Sequence, residues 1–232
     1  MKSDCPEVIV ILRELPRLVK TCTEPLTAQA VGNMLYGLKG MKNDCPEVRV
    51  LLIELPRLVK TCKELDALAV GNMLYGLQGM KNDCPEVRVL LRELPRLVKT
   101  CTEPLKAKNV AMMLYGLQGM NSDCPEVIAL LRELPRLVKT CTNLDAQAVG
   151  NMLYGLQGMN SDCPEVRALL RELPRLVKTC TELLKAQEVG NMLYGLQGMK
   201  NDCPEVRVLL RELPRLVKTC TEQFTAQEIS ID

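Results

Sequence analysis

Apolar residues recur along the chain at the spacing of an amphipathic helix. In the first complete copy of the pattern, Val31, Met34, Leu35, Leu38 and Met41 fall on one side of a helix when residues are turned by about 100° each. No segment shows the strict apolar–polar alternation that is typical of a half-buried strand. The pattern therefore predicts an all-α protein whose helices each bury one face.

The pattern repeats with a nearly fixed period. The tetrapeptide Cys-Pro-Glu-Val begins at Cys5, Cys45, Cys84, Cys124, Cys163 and Cys203, so the period alternates between 40 and 39 residues. A period of this size is typical of stacked supersecondary units. We therefore predict one continuous α-solenoid over residues 1–232, with about 5.5 units of 39–40 residues. The predicted units are 1–26 (partial), 27–65, 66–104, 105–144, 145–183, 184–223 and 224–232 (partial). Because the pattern starts and stops within a unit, we expect the chain to be a segment of a longer protein.

Each unit is predicted to contain two helices, called helix A and helix B. Helix A starts after an N-cap such as Thr27 or Asp66 and stops at a glycine, which is Gly40 in the first copy. Helix B starts at Asp44–Glu47, where Asp44 is the predicted N-cap and Glu47 its capping-box partner. Because Pro56 falls inside helix B, we expect this second helix to kink or split there.

Helix A contains glycines, which cost about 1 kcal/mol each relative to alanine inside a helix. Gly37 and Ala30 lie on one flank of the apolar stripe, and Gly32 and Ala28 lie on the other. Small residues at these places would let neighbouring A helices approach closely. We therefore predict crowded A helices on the concave side of the solenoid, with the bulkier B helices outside.

The remaining face of helix A carries three residues, Gln29, Asn33 and Tyr36, at helical spacing. The copies are Leu68, Asn72 and Tyr75; Lys108, Met112 and Tyr115; Gln147, Asn151 and Tyr154; and Gln187, Asn191 and Tyr194, while Gln227 opens a further copy. A constant aromatic residue beside variable hydrogen-bonding side chains is the arrangement that reads unstacked RNA bases.

This pattern predicts two roles for its members. The tyrosines predicted to stack on bases are Tyr36, Tyr75, Tyr115, Tyr154 and Tyr194. The residues predicted to contact base edges are Gln29, Asn33, Asn72, Lys108, Gln147, Asn151, Gln187 and Asn191. The alternative is that the tyrosine is a half-buried ridge residue and that the asparagine bonds to a neighbouring unit.

Helix B carries a basic stripe, represented by Arg167, Arg171, Arg175 and Lys178. The candidate phosphate contacts on these helices are Arg49, Arg88, Arg167, Arg171, Arg207 and Arg211. Acidic residues such as Glu205 and Glu212 are expected to face the next unit, where they could pair with its arginines. Because the formal net charge is only +2, the sequence favours an ion-pair lattice over a dedicated phosphate track.

The twelve cysteines form two columns, represented by Cys45 and Cys62. These two residues are 17 positions apart, about 25 Å along a helix, which is too far for a disulfide within one helix. The chain has no Cys-x-x-Cys motif and no histidine, so we predict no metal site and no cofactor. Small buried thiols in a reducing intracellular compartment are the favoured interpretation.

Nothing in the sequence indicates catalysis or a membrane span. There is no histidine for general-base work and no glycine-rich phosphate loop, and near-identical units offer no singular constellation. No apolar run approaches the 18 or so residues that a spanning helix needs. We therefore expect neither an enzyme nor a membrane protein, and no small-molecule substrate.

The segment LDAQAVGNMLYGLQGM, from Leu144 to Met159, resembles the first helix of octotricopeptide-type repeats. The matching positions are Leu144, Gln147, Val149, Asn151, Leu153, Tyr154 and Leu156. Pro164–Val166 and the leucine-rich stretch after it resemble the second helix of the same family. The resemblance implies an α-solenoid that binds single-stranded RNA or rRNA in mitochondria or chloroplasts. It also implies a role in RNA processing, stability, translation or ribosome assembly, exerted by binding alone.

A second resemblance supplies a second hypothesis. The segment NDCPEVRVLLREL, from Asn201 to Leu213, is similar to the second helix of HEAT repeats. Arrays of that family mostly hold proteins together. The alternative function is therefore a protein-binding scaffold or a structural subunit of a large assembly.

Overall fold

A computed structural model of the chain describes residues 5–41 and 43–222. Gln227, the first residue of the last predicted groove copy, lies outside these residues. Regular structure in the described residues consists of eleven helices and no strands. The B helices are α1 (Pro6–Thr21), α3 (Pro46–Val59), α5 (Pro85–Thr100), α7 (Pro125–Thr140), α9 (Pro164–Thr179) and α11 (Pro204–Val217). The shorter A helices are α2 (Ala28–Tyr36), α4 (Ala67–Tyr75), α6 (Ala107–Tyr115), α8 (Ala146–Tyr154) and α10 (Ala186–Leu196).

The helices form two layers. Each A helix packs on the A helices of the neighbouring units, and each B helix packs on the neighbouring B helices. The predicted all-α solenoid of two-helix repeats is therefore confirmed. Within the described part of the chain, every helix is too short or too polar to cross a bilayer.

The core lies between the two layers and runs through all units without a break. In α2 and the turn after it, Val31, Leu35, Leu38 and Met41 are buried, and Met34 is half-buried. These are the five residues of the predicted apolar stripe. The B helices complete the core with buried leucines and valines, represented in α5 by Val87, Leu90, Leu91, Leu94, Leu97 and Val98.

The predicted starts of helix A are confirmed, and its end comes earlier than predicted. The Thr27 hydroxyl accepts a hydrogen bond from the Ala30 amide at 3.2 Å, and the Asp66 carboxylate caps α4 in the same way. Helix α2 ends at Tyr36, and the chain continues through a tighter turn with bonds between residues three apart. Gly40 ends that turn with a φ of 73°, a left-handed conformation that favours glycine.

The predicted cap of helix B is wrong by one residue. Cys45, rather than Asp44, is the N-cap of α3, because Pro46 occupies the first helical position. Glu47 is then at the second helical position, so the predicted capping box does not form. The Glu47 carboxylate instead accepts a hydrogen bond from the Cys45 thiol at 3.4 Å.

The internal proline does not split helix B. Helix α3 runs through Pro56 and ends at Val59, and α5 runs through Pro95 as far as Thr100. Of the two predicted outcomes, a kink or a split, the split is therefore excluded in these helices.

The glycines of helix A lie where neighbouring A helices touch, as predicted. A Cβ on Gly32 would lie 3.0 Å from the Cα of Ala69, and a Cβ on Gly71 would lie 3.3 Å from the Cα of Asn109. A Cβ on Gly76 would overlap the backbone carbonyl of Leu35. Backbone therefore packs on backbone between successive A helices, which explains glycine at positions where it costs helix stability.

From α3 onward, an arginine near the end of each B helix ties its unit to the preceding one. The Arg136 guanidinium donates hydrogen bonds to the carbonyls of Cys101 at 2.7 Å and Val98 at 3.0 Å. These carbonyls belong to the C-terminal end of α5, where helix geometry leaves them without partners. Arg57, Arg96, Arg175 and Arg215 make the equivalent bonds in their units. This position belongs to the predicted basic stripe, but its contact with the preceding unit was not predicted.

Candidate nucleic-acid interface

A single groove runs across four successive A helices, from α2 to α8. Its volume is about 600 Å³. Residues of the predicted triplets that line it are Asn33, Tyr36, Leu68, Asn72, Tyr75, Lys108, Met112, Gln147 and Asn151. A cavity bounded by the same face of four neighbouring helices shows that this face is recessed, as the predicted concave side requires.

The other predicted residues lie on the same helix positions outside the lining of this groove. Gln29 and Gln187 are exposed, and Asn191 is half-buried. Tyr115, Tyr154 and Tyr194 are half-buried in the row of tyrosines described below. Nine of the triplet side chains therefore line one groove, and the other six do not.

The polar side chains of the groove are largely available to a ligand. Asn33, Lys108 and Gln147 are exposed, while Asn72 and Asn151 are half-buried. Among the described asparagines of the triplets, one contact joins amides of neighbouring units, from Asn191 Nδ2 to Asn151 Oδ1 at 3.5 Å. The alternative prediction of asparagines bonded between units therefore applies to this pair and not to Asn33 or Asn72.

The five tyrosines contact one another in a row that runs from unit to unit, with tilted rings from Tyr36 to Tyr115 and stacked rings from Tyr115 to Tyr194. Ring centroids are 5.7 Å apart for Tyr36 and Tyr75, and 5.6 Å apart for Tyr75 and Tyr115. The spacing falls to 4.8 Å between Tyr115 and Tyr154 and is 5.1 Å between Tyr154 and Tyr194. These are contact distances for aromatic pairs. The three interior rings therefore have a neighbouring ring on each side.

This row changes the interpretation of the tyrosines. Tyr75, Tyr115, Tyr154 and Tyr194 are half-buried ridge residues, and burial raises the pKa of the Tyr115 and Tyr154 hydroxyls. A base could stack on Tyr154 only if two rings separated, because both neighbouring rings are stacked on it. Tyr36 is the most open of the five, with 43% of its surface exposed.

Lys39 holds the first part of the tyrosine row in place. Its ammonium donates a hydrogen bond to the Tyr75 hydroxyl at 2.6 Å and lies 4.2 Å from the centroid of the Tyr75 ring. Such cation–π contacts stabilise by about 0.5–1 kcal/mol at exposed sites. This role of Lys39 was not predicted. The signal is present in the sequence, because the later units carry glutamine at the same position.

Most of the arginines predicted to contact phosphate are engaged inside the protein. The Nε atoms of Arg49 and Arg88 donate to the carbonyls of Asn43 and Asn82, each at 2.7 Å. Arg167 and Arg207 bond to the equivalent loop carbonyls in their own units. Arg171 pairs with Glu205 at 2.8 Å, and Arg211 is exposed on the last described B helix.

The favoured ion-pair lattice is present, but its direction is opposite to the prediction. Glu205 pairs with Arg171, and Glu212 pairs with Lys178 at 3.2 Å, so both carboxylates contact the preceding unit. The same pairing joins other neighbouring units, as Arg92 with Glu126 and Lys60 with Glu93 show. The basic residues are more than half exposed in these pairs, so each pair contributes at most about 1 kcal/mol. The outer surface is therefore a balanced lattice rather than a basic sheet.

The first column of cysteines supports the start of each B helix. The Cys124 thiol donates to the Glu126 carboxylate at 3.0 Å. That bond, the backbone N–H of Glu126 and the nearby Arg92 together lower the pKa of Glu126 to about 2. The carboxylate also lies at a helix N-terminus, where negative charge is favoured.

The second column is buried in the core except at its two ends, Cys22 and Cys220, which are partly exposed. Burial raises the pKa of the thiols of Cys62, Cys101, Cys141 and Cys180. All twelve cysteines lie in the described residues, and none forms a disulfide. The same residues contain no group of three or more Cys, Asp or Glu side chains arranged to hold a metal ion.

Comparison with known proteins adds little to this picture. No family model matches the chain. No curated protein matches it either. Among solved structures, the chain is similar to the crystal structure of an engineered protein, with 16% sequence identity over 97% of this chain and 90% of that chain. The TM-score of 0.41 is too low for the likeness to carry an argument. The protein is thus a helical repeat protein, as the packing of the helices in its described residues shows.

Proposed function

We propose that this protein binds single-stranded RNA along the groove of its A helices. The observation that carries the proposal is the row of amide side chains, represented by Asn33, Asn72, Gln147 and Asn151, that lines one recessed face. Amides both donate and accept hydrogen bonds, so they suit the edges of unstacked bases. The resemblance to octotricopeptide repeats supports the same function.

The tyrosines take a different part in this proposal from the one that the sequence suggests. Tyr36 and Tyr75 line the groove, whereas the faces of Tyr115 and Tyr154 contact each other. Stacking on a base is available at Tyr36, whose ring is the most exposed of the five. The row also fixes the spacing of the amides beside it, since each ring stands three residues after the second amide position.

The biological setting follows from the resemblance alone. We propose a role in RNA processing, stability, translation or ribosome assembly in a mitochondrion or chloroplast, with rRNA as one candidate target. The protein would act by binding, without catalysing a reaction. Crosslinking in cells, followed by sequencing of the bound RNA, tests this proposal. Enrichment of organellar transcripts supports it, and the absence of any crosslinked RNA contradicts it.

A protein scaffold is the second candidate, and the neutral outer surface favours it. The arginines of the B helices are paired or bonded internally, and exposed apolar residues such as Val50, Val89 and Val208 lie among them. Such a surface suits a protein partner better than a polyanion. Leu68, 57% exposed in the groove, would also suit an apolar side chain of a partner.

A salt titration separates the two functions. RNA binding weakens as salt rises, with a slope set by the number of phosphates contacted. An interface built on apolar contacts responds much less. Because most basic residues bond within the protein, we expect the dependence of RNA affinity on salt to correspond to only a few phosphates. The titration therefore needs single-stranded RNA and a candidate protein measured in parallel.

A further inference from the structure

The unit over residues 105–144 departs from the other complete units on the groove side of its A helix. Lys108 stands where three of the complete units have glutamine, and Met112 stands where the others have asparagine. The tyrosine of this helix, Tyr115, and its buried neighbour Leu114 are unchanged. The differences therefore change the groove and leave the core of α6 as it is in the other units.

A third difference in α6 has a structural explanation. Asn109 stands where the preceding unit has Ala69, and it is buried. Its Oδ1 accepts a hydrogen bond from the Lys106 amide at 3.0 Å, which supports the start of a helix that lacks an aspartate cap. Lys108 and Met112 have no such internal role.

Lys108 is a cation without an internal partner. It is exposed and lines the groove together with Asn72 and Gln147, and its ammonium makes no hydrogen bond or ion pair within residues 5–41 and 43–222. Lysines of the B helices, such as Lys139, do pair with a glutamate. The one acidic residue among the described groove-lining residues is Asp145, whose Oδ1 accepts from the Ala148 amide at 2.6 Å.

The side chains of Lys108 and Met112 differ chemically from the glutamine and asparagine that other units carry at these positions. Lysine has three donors and no acceptor, whereas glutamine and asparagine have both. Guanine presents two adjacent acceptors, O6 and N7, while adenine and cytosine place an amino donor on the corresponding edge. The flexible, polarisable thioether of Met112 suits packing against the wide purine ring.

We propose that α6 makes the groove selective for guanine at one position of the bound strand, with Lys108 as the specificity-determining residue. This inference rests on the RNA binding proposed above. Lys108 donates to guanine O6 and N7, and Met112 packs against the base. The neighbouring units, which carry amides, accept other bases at the flanking positions.

The test uses fluorescence anisotropy with labelled twelve-nucleotide oligouridine that carries one guanine, adenine or 7-deazaguanine near its middle. We expect the guanine strand to bind about tenfold more tightly than the adenine strand, which is at the low end of what a good base contact supplies. The strand with 7-deazaguanine, which lacks N7, should lose part of that gain. Lys108→Gln introduces the residue found at Gln147, and it should reduce the guanine preference to less than twofold.

Each result decides between the proposals. If none of the strands binds, the proposed RNA function fails. If the strands bind equally well, or if Lys108→Gln keeps the guanine preference, RNA binding stands and this inference fails. If Lys108→Gln weakens all strands alike and lowers the salt slope by about one, Lys108 contacts a phosphate and the inference is overturned. Circular dichroism of the variant confirms that its helix content is unchanged.

Discussion

Gly76 packs directly on the backbone carbonyl of Leu35 in the preceding A helix, and a Cβ at this position would overlap that carbonyl. Gly116, Gly155 and Gly195 stand in the same relation to Leu74, Leu114 and Leu153. This contact sets the distance between successive A helices. The same crowding brings one tyrosine per unit into contact with the next.

Gly116→Ala should therefore destabilise the solenoid strongly. The new methyl group meets the backbone of Leu74, which cannot turn away as a side chain could, so we expect a loss of about 1–3 kcal/mol, as for other overpacked sites. Chemical denaturation followed by circular dichroism measures the loss. Gly37 is the matched control, because it has the equivalent place in α2, where its Cβ would meet no neighbouring helix. A Gly116→Ala variant as stable as Gly37→Ala would contradict the backbone contact.

The arginine contact between B helices predicts a second difference between matched positions. Arg136→Ala removes hydrogen bonds to the C-terminal carbonyls of α5, and we expect it to lower the free energy of unfolding by about 1–2 kcal/mol. Arg17→Ala is the control. Arg17 has the equivalent place in α1, is largely exposed, and pairs with Glu14 of its own helix at 3.4 Å. Equal effects of the two changes would show that the carbonyl bonds contribute nothing.

The buried face and the close approach of the A helices could be predicted from the sequence, but the side-chain contacts between units could not. The periodicity within one helix predicts that residues such as Val31 and Leu35 are buried. Gly32 indicates a close approach between helices, because glycine lowers helix stability there. In contrast, a helical wheel does not tell which neighbour Glu205 faces. That depends on the rotation and translation from one unit to the next, which no local pattern encodes.

The candidate site was also predictable in part and unpredictable in part. The alignment of Asn33, Asn72 and Asn151 on one face follows from counting residues, so the groove lining was predictable. The stacking of Tyr115 on Tyr154 was not, because it requires the distance between two A helices. The predicted start of helix B is wrong by one residue for a local reason. Pro46 occupies the first helical position, so Cys45 and not Asp44 is the N-cap.

Acidification should weaken the fold between about pH 4.5 and pH 2. The pKa of Glu126 is lowered from 4.5 to about 2 in the folded protein, so its contribution is present above pH 4.5 and is lost as the pH falls through the folded pKa. The pKa values of Glu86 and Glu165 are lowered in the same direction. Denaturation at a series of pH values measures the effect.

A thiol substitution tests the origin of this pH dependence. Cys124→Ala removes the thiol that donates to the Glu126 carboxylate and lowers its pKa, so the stability of the variant should change less between pH 4.5 and pH 2. Cys124→Ser keeps a donor at the same place and should restore much of the dependence. Identical pH profiles for all three proteins would show that the thiol does not stabilise the carboxylate.

Thiol labelling should separate the cysteines by burial. Eight are buried, whereas Cys5, Cys22, Cys45 and Cys220 are partly exposed. The thiolate is the reactive form, and burial raises the pKa of residues such as Cys101, so the buried thiols should react slowly at pH 8. A chromogenic disulfide reagent should show a fast phase of about four thiols, and all twelve should react in denaturant. Rapid reaction of all twelve in the native protein would contradict the packed core.

The central claim is that RNA lies in the groove of the A helices, and an affinity comparison tests it most directly. Asn33→Ala, Asn72→Ala and Asn151→Ala together remove three amides that line the groove. Val89→Ala changes an exposed residue of α5 to the alanine that other units carry at this place. With labelled single-stranded RNA, we predict that the triple variant binds at least tenfold more weakly than the unaltered protein, and that Val89→Ala binds as the unaltered protein does. Equal affinity of the triple variant and the unaltered protein would contradict the claim.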